Sequence, residues 1–487
     1  MSASALPPAH GVLYGFIGSE NSYQLHGLSD KLLKRDLEHV TSLLSASKGT
    51  SDLHDATLLT AAYLSIGDSH DFDGEQVEKL AKIVSTRVLS LKPSTGTFMR
   101  NAQLPVPSVA CLSVLSSMCS VTLDKDTRLK LVTITDSRDP WTTSISATTA
   151  SNLLSNQMAD GALADFIAGP VLQETLRPVF AKPSSRITAS GRPSQYAAAG
   201  GRSQQLPEAQ PWKKEAPWAE TVFRWAVDMS TSALIQEHWP LFTPVLLALV
   251  EDESIDVKSR GLEVLASFVG KCPGQVLLNT GIGRVFEDAT LPMLLYLPSV
   301  TPEDQSTSIL SPAYDVLINL AESYKDHQCL ERRRLLDKLL REGIFAGHFH
   351  ASQYTRIVQV LMRKTASLVD CLGIYSTKHL KNLLSMVSSV MTDPFVTSHP
   401  PTAIAATQAL NAIITNSWPR IQEAEHTEQV IRILSLCWLN VSEETESSSS
   451  RIRKEDAKAL AEELLHTSKI LQALWAEGGS KRPTRLA

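Results

Sequence analysis

Apolar residues recur along this chain at spacings of three and four residues, which is the period of one face of an α-helix. The segment 376–391 carries one such stripe, whose members are Leu380, Leu383, Leu384, Val387 and Met391. A stripe near the C-terminus consists of Leu460, Leu464, Leu471 and Leu474. Gly478 and Gly479 follow it, and glycine commonly ends a helix. The pattern predicts amphipathic helices that pack on one face.

One segment leaves the choice between helix and strand open. Residues 129–135 are rich in β-branched side chains, as strands are. However, no partner run with a tight hairpin turn faces this segment in the sequence. Apart from it, we expect helices throughout.

Proline and glycine divide the predicted helices at short intervals. The positions are Pro240, Pro244, Pro273, Gly274, Pro298, Pro302, Gly343, Gly373, Pro394, Pro400, Pro401 and Pro419. Because an interior proline costs a helix about 3 kcal/mol, we expect these residues at helix ends rather than at kinks. Many short helices joined by short turns predict an all-α fold, a HEAT/armadillo-like α-solenoid of stacked helical hairpins.

The helix that opens at Asp256 is expected to be apolar around more than half of its circumference. Its main face holds Val257, Gly261, Val264, Leu265 and Phe268, and Leu262 and Val269 widen it. Such a helix must be covered on two sides, like the inner helix of a stacked repeat. The Asp256-Val257-Lys258 step resembles the HEAT-repeat signature, although Lys258 stands where arginine is usual. At about 40–47 residues per repeat, the stretch from 217 onward would hold roughly six units.

Composition divides the chain between 181 and 216, where Pro, Gly, Ser and Gln replace large apolar residues. This predicts a disordered internal linker. We expect a flexible N-terminus at 1–27, a helical region at 28–180, a HEAT-like helical domain at 217–477 and a flexible tail at 478–487. The serine-rich segment 442–450 is expected to be a mobile loop.

Overall composition indicates a protein of the cell interior. The 487 residues are 43% hydrophobic, and the net charge of -5 favours neither nucleic acid nor anionic membranes as partners. Six cysteines contain no C-x-x-C pair, which predicts reduced, mostly buried thiols. No run reaches the roughly 18 apolar residues that a membrane span needs.

Motifs that carry chemistry are weak or incomplete. The segment 281–286 begins like a phosphate-binding glycine loop, but a turn between two helices explains it better. His348 and His350 lack a third metal ligand, and the S-x-x-K match at 45–48 lacks the supporting motifs of that enzyme class. The sequence therefore predicts no catalytic residue, no cofactor, no metal site and no enzymatic activity.

Five residues are candidates for a protein interface: Arg260, Lys378, His379, Lys381 and Trp418. Lys378, His379 and Lys381 form a basic edge, and residues 331–334 form another charged cluster. Either group has a simpler interpretation as a solvated helix face. Trp418 is interpreted either as a core residue or as an interface anchor.

Several segments, in consistent order over roughly 240–425, resemble the Tti-two family, the second Tel-two-interacting protein. They are DVKSRGLEVLASFV from 256, LLNTGIGRVFEDATLPMLLYLPSVTPEDQ from 277, AYDVLINLA from 313, GIYSTKHLKNLL at 373–384, DPF at 393–395 and ALNAIITNSWPRI at 409–421. The N-terminal half shows no such segment.

The resemblance implies a non-enzymatic HEAT-like scaffold of a TTT-type cochaperone complex in the cytoplasm and nucleus. Its implied direct partners are Tti-one-like and Tel-two-like subunits. Through them it would support the maturation and stability of phosphatidylinositol-3-kinase-related kinases, together with the ninety-kilodalton heat-shock chaperone and its R2TP-type adaptor. The alternative is a general α-solenoid adaptor, such as a transport receptor or a phosphatase scaffold.

Overall fold

The structure is a computed structural model, and it describes twelve stretches of the chain. They are 37–46, 56–57, 60, 64, 74–88, 105–118, 123–158, 160–180, 212–298, 300–326, 328–446 and 452–476. Within them every regular element is helical and there is no strand, which confirms the predicted all-α fold. The described residues fall into two compact units, one up to 245 and the other from 246 onward.

In the first unit, stretches without description separate the first helices along the sequence, and a longer described run follows from 123. Its helices are α1 (Leu37–Ala46), α2 (Gly74–Ile83), α3 (Pro105–Met118), α4 (Lys125–Val132), α5 (Ser144–Gln157), α6 (Asp160–Phe166), α7 (Arg177–Val179), α8 (Trp212–Glu215) and α9 (Ala219–Met229). Two π-helical stretches continue neighbouring helices, Val84–Val88 after α2 and Ile167–Leu176 between α6 and α7.

The segment 129–135 is helical up to the end of α4. Asp124 caps the start of α4, since its side chain accepts a hydrogen bond from the Thr127 amide at 2.9 Å. Trp141 donates its indole N–H to the Thr133 carbonyl just after the helix. A cap and a tertiary hydrogen bond thus override the local strand preference of the β-branched residues.

The end of the predicted linker is ordered by packing within the first unit. Trp212 of α8 is buried, and its ring centroid lies 5.2 Å from that of Phe180. Residues 181–211 lie outside the described residues, as do the predicted termini at 1–27 and 478–487, so those assignments stay predictions. The division between the two compact units falls near 245, inside the next helix.

That next helix, α10 (Ser232–Val250), contains both Pro240 and Pro244. The expectation that these prolines end helices is therefore wrong. Burial of the surrounding apolar side chains, among them Phe242 and Leu246, outweighs the lost backbone hydrogen bonds. By length and composition α10 could cross a membrane, but 56% of its most apolar stretch of 18 residues is buried, as in the core helix of a soluble protein.

The second unit is a stack of helical hairpins. Its helices are α11 (Ile255–Lys271), α12 (Gly274–Asn279), α13 (Ile282–Thr290), α14 (Glu303–Glu322), α15 (Leu330–Lys338), α16 (Ala346–Ala351), α17 (Thr355–Leu372), α18 (Leu380–Met391), α19 (Pro400–Asn416), α20 (Trp418–Ile421), α21 (Ala424–Glu446) and α22 (Lys454–Ala476). Short 3₁₀ segments lie at Leu291–Leu295, Gly373–His379 and Val396–Ser398, and a π-helical stretch at Leu339–Phe345 joins α15 to α16.

Five of these helices form an inner row, in which α11, α14, α17, α19 and α22 each pack against the next. In the outer row, α15 packs on α14 and α17, α18 packs on α19, and α21 packs on both α18 and α22. This arrangement is the predicted solenoid. It explains the wide apolar face of α11, where Gly261, Val264, Leu265 and Phe268 are buried.

Each junction of the inner row carries a side-chain hydrogen bond. The four bonds, in order along the row, are Asn319 to the Ala266 carbonyl at 3.0 Å, Lys364 to Asp315 at 2.6 Å, Asn416 to Asp370 at 2.8 Å and Asn411 to Glu463 at 2.8 Å. The bonded residues are 46 to 53 positions apart. The repeat is therefore slightly longer than the predicted 40–47 residues.

Most proline and glycine positions in the second unit mark helix ends as predicted. Pro302 precedes α14, Pro400 begins α19, and Gly373 ends α17 with a φ of +56°, which favours glycine. Gly343 is an exception, because it lies inside the π-helical stretch Leu339–Phe345. A Cβ at this position would come within 2.7 Å of the Tyr314 hydroxyl, so glycine is needed for close packing.

The structure confirms the two predicted apolar stripes but only partly agrees with the predicted serine-rich loop. All five apolar residues of the first stripe are buried in α18, and all four of the second are buried in α22. In contrast, residues 442–446 belong to the last turns of α21, so the loop prediction is wrong for them. The apolar side chains of α21 hold this end in the helix, with Val441 buried. Residues 447–450 lie outside the described residues.

Candidate interaction surfaces

The basic edge at 378–381 is partly occupied by contacts within the second unit. Lys378 forms an ion pair with Asp337 of α15, and His379 Nε2 lies 3.0 Å from the other oxygen of the same carboxylate. The His379 side chain is 10% exposed, whereas that of Lys378 is 54% exposed. Lys381 is exposed and makes no ion pair within the described residues. Lys381 is thus the member of the edge that is available to a partner.

The remaining interface candidates are neither fully buried nor fully open. Arg260 lies in α11 and is half-buried. Trp418 begins α20 and is also half-buried. This burial fits neither a fully buried core residue nor a fully exposed interface anchor. The structure therefore brings Lys378 and His379 together on Asp337.

The charged cluster at 331–334 is split among different environments. Arg332 is 3% exposed and donates to the Cys371 carbonyl at 2.8 Å. Arg333 lies over the Tyr375 ring, 4.5 Å from its centroid. The interpretation of the cluster as one solvated face is wrong at Arg332, because side chains of the neighbouring helices cover it.

Glu331 and Arg334 instead line a cleft of about 730 Å³ between α13 and α15. Arg284, Lys338 and Arg341 also line it, as do Glu287 and Glu342. Burial raises the pKa of Glu287, and the nearby Lys338 opposes this shift. The cleft contains similar numbers of acidic and basic side chains, so it favours neither an anion nor a cation.

The weak chemical motifs take structural positions. Gly281 has a φ of 76° and lies in the turn between α12 and α13. This confirms that the segment 281–286 begins with a turn between two helices. His348 lies on α16, and burial lowers its pKa. Among the residues that the structure describes, no group of three or more His, Cys, Asp or Glu side chains could hold a metal ion.

A group of exposed apolar side chains in the second unit lies on α21. Its exposed side chains are Ile431 at 43%, Leu436 at 37%, Trp438 at 42% and Leu439 at 52%. We call these four residues the α21 face. The opposite side of the helix is packed, since Val430, Ile433, Cys437 and Val441 are buried. Large apolar side chains therefore occupy both sides of α21.

Sequence reasoning missed the α21 face, although a signal for it was present. Ile431 and Trp438 are two helical turns apart and lie on one stripe, while Val430 and Cys437 form another. A helix with two apolar stripes needs cover on both sides. In the described residues α18, α20, α22 and the 3₁₀ segment Val396–Ser398 contact α21, and the four side chains of the α21 face remain exposed.

An exposed aromatic residue lies beside this helix. Phe395 is 78% exposed, and its own amide donates to the Asp393 carboxylate at 2.8 Å. The Val396 amide donates to the Asp393 carbonyl, which also accepts from the Asn440 side chain of α21 at 3.2 Å. These bonds fix the turn on α21 while the Phe395 ring stays in solvent.

Comparison with known proteins assigns the chain to a family. A family model described as the Tti2 family matches residues 128–398, which is more than half of the chain. The chain belongs to the Tti2 family. This confirms the resemblance found in the sequence and extends it into the first unit, where no family-like segment had been noticed. A Tti2-family protein is a scaffold subunit of the TTT type. The α21 face lies C-terminal to the matched residues.

Two solved structures are similar to this Tti2-family chain over most of its length. One is an engineered protein, with 12% identity over 94% of this chain and 99% of that chain and a TM-score of 0.36. The other is Kap121p bound to Ste12p, with 10% identity over 97% of this chain and 67% of that chain and a TM-score of 0.26.

Proposed function

We propose that the protein is a non-enzymatic scaffold subunit of a TTT-type cochaperone complex. Its direct partners would be Tti-one-like and Tel-two-like subunits in the cytoplasm and nucleus. Through them it would support the maturation and stability of phosphatidylinositol-3-kinase-related kinases, with the ninety-kilodalton heat-shock chaperone and its R2TP-type adaptor. The single observation that carries this proposal is the match of the Tti2 family model to residues 128–398.

The stacked hairpins of the second unit are suited to this role. Such a stack offers a long surface made of successive helices, so it can bury a large interface without a deep pocket. The inner-row hydrogen bonds hold neighbouring hairpins in a fixed register. A partner would therefore meet a preformed surface, which lowers the entropic cost of binding.

Affinity purification of the tagged full-length chain from cells tests the proposal. We expect Tti-one-like and Tel-two-like subunits in amounts similar to that of the chain, and a lower level of the kinases after depletion of the chain. Recovery of transport or phosphatase subunits instead would favour the general adaptor and contradict the proposal. Fractionation of the same cells tests the location, since a protein confined to one compartment would contradict the cytoplasmic and nuclear assignment.

A further inference from the structure

We infer that the α21 face binds an amphipathic helix of a partner protein, with an apolar ridge flanked by basic side chains. This inference rests on the proposed function and adds to it the site and the chemistry of the contact. The α21 face belongs to the last described hairpin of the stack, α21 and α22. The exposed side of a helix on a soluble protein is normally polar. Here that side carries large apolar side chains instead.

The acidic side chains of α21 identify the charge of the partner. The helix contains Glu425, Glu428, Glu443, Glu444 and Glu446, and its only lysine or arginine is Arg432. Glu425, Glu428, Glu443 and Glu446 are exposed, and none of these four forms an ion pair within the described residues. Because opposite charges across an interface steer encounter and fix register, a partner with basic flanks fits this surface.

The position of the C-terminal glutamates strengthens this argument. Glu443 and Glu446 lie in the last turns of α21, where the helix dipole disfavours negative charge and the helix has no basic residue of its own. In the free chain these glutamates oppose the helix that carries them. Basic side chains of a bound partner would remove this unfavourable interaction, so binding would also stabilise the end of α21.

The shape of the surface favours a helix as the occupant. Ile431 and Trp438 are spaced by two helical turns, and Leu439 and Leu436 widen the stripe to one side. Leu436 and Leu439 are three positions apart and Ile431 and Trp438 are seven positions apart, so the exposed apolar side chains run along α21 over two turns, as the contact stripe between two packed helices does. Phe395 extends the apolar surface, because Asn440 ties its turn to the same helix one turn beyond Leu436.

The first test measures binding of the purified Tti-one-like subunit to the full-length chain. We expect the double substitution Ile431→Glu and Trp438→Glu to weaken binding by more than about tenfold, since buried aromatic anchors dominate interface energies. The control is Val300→Glu, which places the same charge at an apolar side chain that is 87% exposed elsewhere in the second unit. Both variants should unfold at the same temperature as the wild type.

The second test addresses the charge of the partner with a synthetic probe. A helical peptide with a leucine ridge and lysine flanks should bind the wild type and lose affinity for the Ile431→Glu, Trp438→Glu chain, which keeps every glutamate. The same peptide with glutamate flanks should bind the wild type more weakly. Charge reversal at Glu443→Lys and Glu446→Lys should exchange this preference between the two peptides.

The outcomes separate the inference from the proposed function. If the subunit binds wild type and double variant equally, the inference is wrong and the scaffold function stands. If the subunit does not bind the wild type, the proposed function fails and the peptide experiment alone decides the inference. Self-association of the wild type that the double substitution abolishes would assign the face to a second copy of the chain and overturn the proposal.

Discussion

Lys364 of α17 donates to Asp315 of α14 across 2.6 Å, and so joins two successive inner helices of the stack. The lysine side chain is 13% exposed and the aspartate 48% exposed, so solvent screens the pair only in part.

We expect a double-mutant cycle with Lys364→Met and Asp315→Asn to give a coupling of about 0.5–1 kcal/mol in the free energy of unfolding. Lys364→Met should cost more than a surface substitution, because it leaves a carboxylate facing a partly buried helix junction. Urea unfolding of the four chains measures the coupling. Strictly additive effects of the two substitutions would contradict the proposed role of the pair.

Two glycines of α11 should respond in opposite ways to alanine. A Cβ at Gly261 would lie 2.7 Å from Leu249 Cβ and 2.9 Å from the Leu249 carbonyl carbon, and the backbone atom cannot move aside cheaply. Gly261→Ala is therefore expected to destabilise the protein by about 1–3 kcal/mol.

The matched control is Gly270→Ala on the same helix. Its added Cβ would meet Asn319 Nδ2 at 3.5 Å, which is an ordinary contact. Alanine there should be neutral or stabilise by about 0.5–1 kcal/mol through its higher helix propensity. Thermal unfolding of both variants tests the pair, and equal midpoints would show that α11 is not packed as described.

Two lysines of the basic edge should affect stability differently, because Lys378 has a partner within the chain and Lys381 is exposed. Charge reversal at Lys378 places a glutamate beside Asp337, so Lys378→Glu is expected to lower the free energy of unfolding by about 0.5–1 kcal/mol. Lys381→Glu should leave the unfolding temperature unchanged.

Binding distinguishes the two roles of this edge. If Lys381 contributes to an interface, Lys381→Glu alone should weaken association with the Tti-one-like subunit, with Lys381→Gln intermediate. Association that is unaltered by Lys381→Glu would exclude the edge from the interface. Reversing Lys378 and Lys381 together should therefore lower stability as well, because Lys378 has a partner within the chain.

Four cysteines should resist modification in the folded protein. Burial raises the pKa of Cys111, Cys272, Cys371 and Cys437 to about 12. Since the thiolate is the reactive form, iodoacetamide at pH 8 should leave these four unmodified in the native chain and label them after denaturation. Peptide mass spectrometry reads out each site, and rapid native labelling of Cys111 or Cys437 would contradict the described packing.

The same shifts predict a loss of stability at high pH. Below the ordinary thiol pKa of 9.0, the folded and unfolded chains both hold these protons, so the shifts contribute nothing. As pH rises from 9 towards 12, the unfolded chain releases them and the folded chain does not. The free energy of unfolding should therefore fall above pH 9, by at most about 1.4 kcal/mol per thiol for each pH unit. Replacing Cys437 with serine or alanine should reduce this slope.

The sequence predicted the parts of the fold that depend on local pattern. The stripes that begin at Leu380 and Leu460 lie on the buried faces of α18 and α22. Apolar residues repeat with the helical period because the side of the helix that faces the core must be apolar. Pro302 and Pro400 mark helix starts, where a missing amide hydrogen costs nothing. These features need no knowledge of distant residues.

Features that depend on tertiary context could not be predicted in this way. Pro240 and Pro244 remain inside α10 because burial of their neighbours compensates for the missing hydrogen bonds. The role of Lys378 depends on Asp337, which lies 41 positions away. The α21 face became visible only when the packed side of that helix was known, since Ile431 and Val430 are indistinguishable by hydropathy alone.

The bonds along the inner row link only consecutive helices, and this limits where the stack tolerates a deletion. Removing α22 eliminates one junction, the one that Glu463 makes with Asn411. Removing α17 eliminates two, because Lys364 and Asp370 of that helix serve the helices on either side. A truncation from the C-terminal end should thus leave α11, α14 and α17 joined, whereas loss of one internal hairpin would separate the stack into two pieces that no longer support each other.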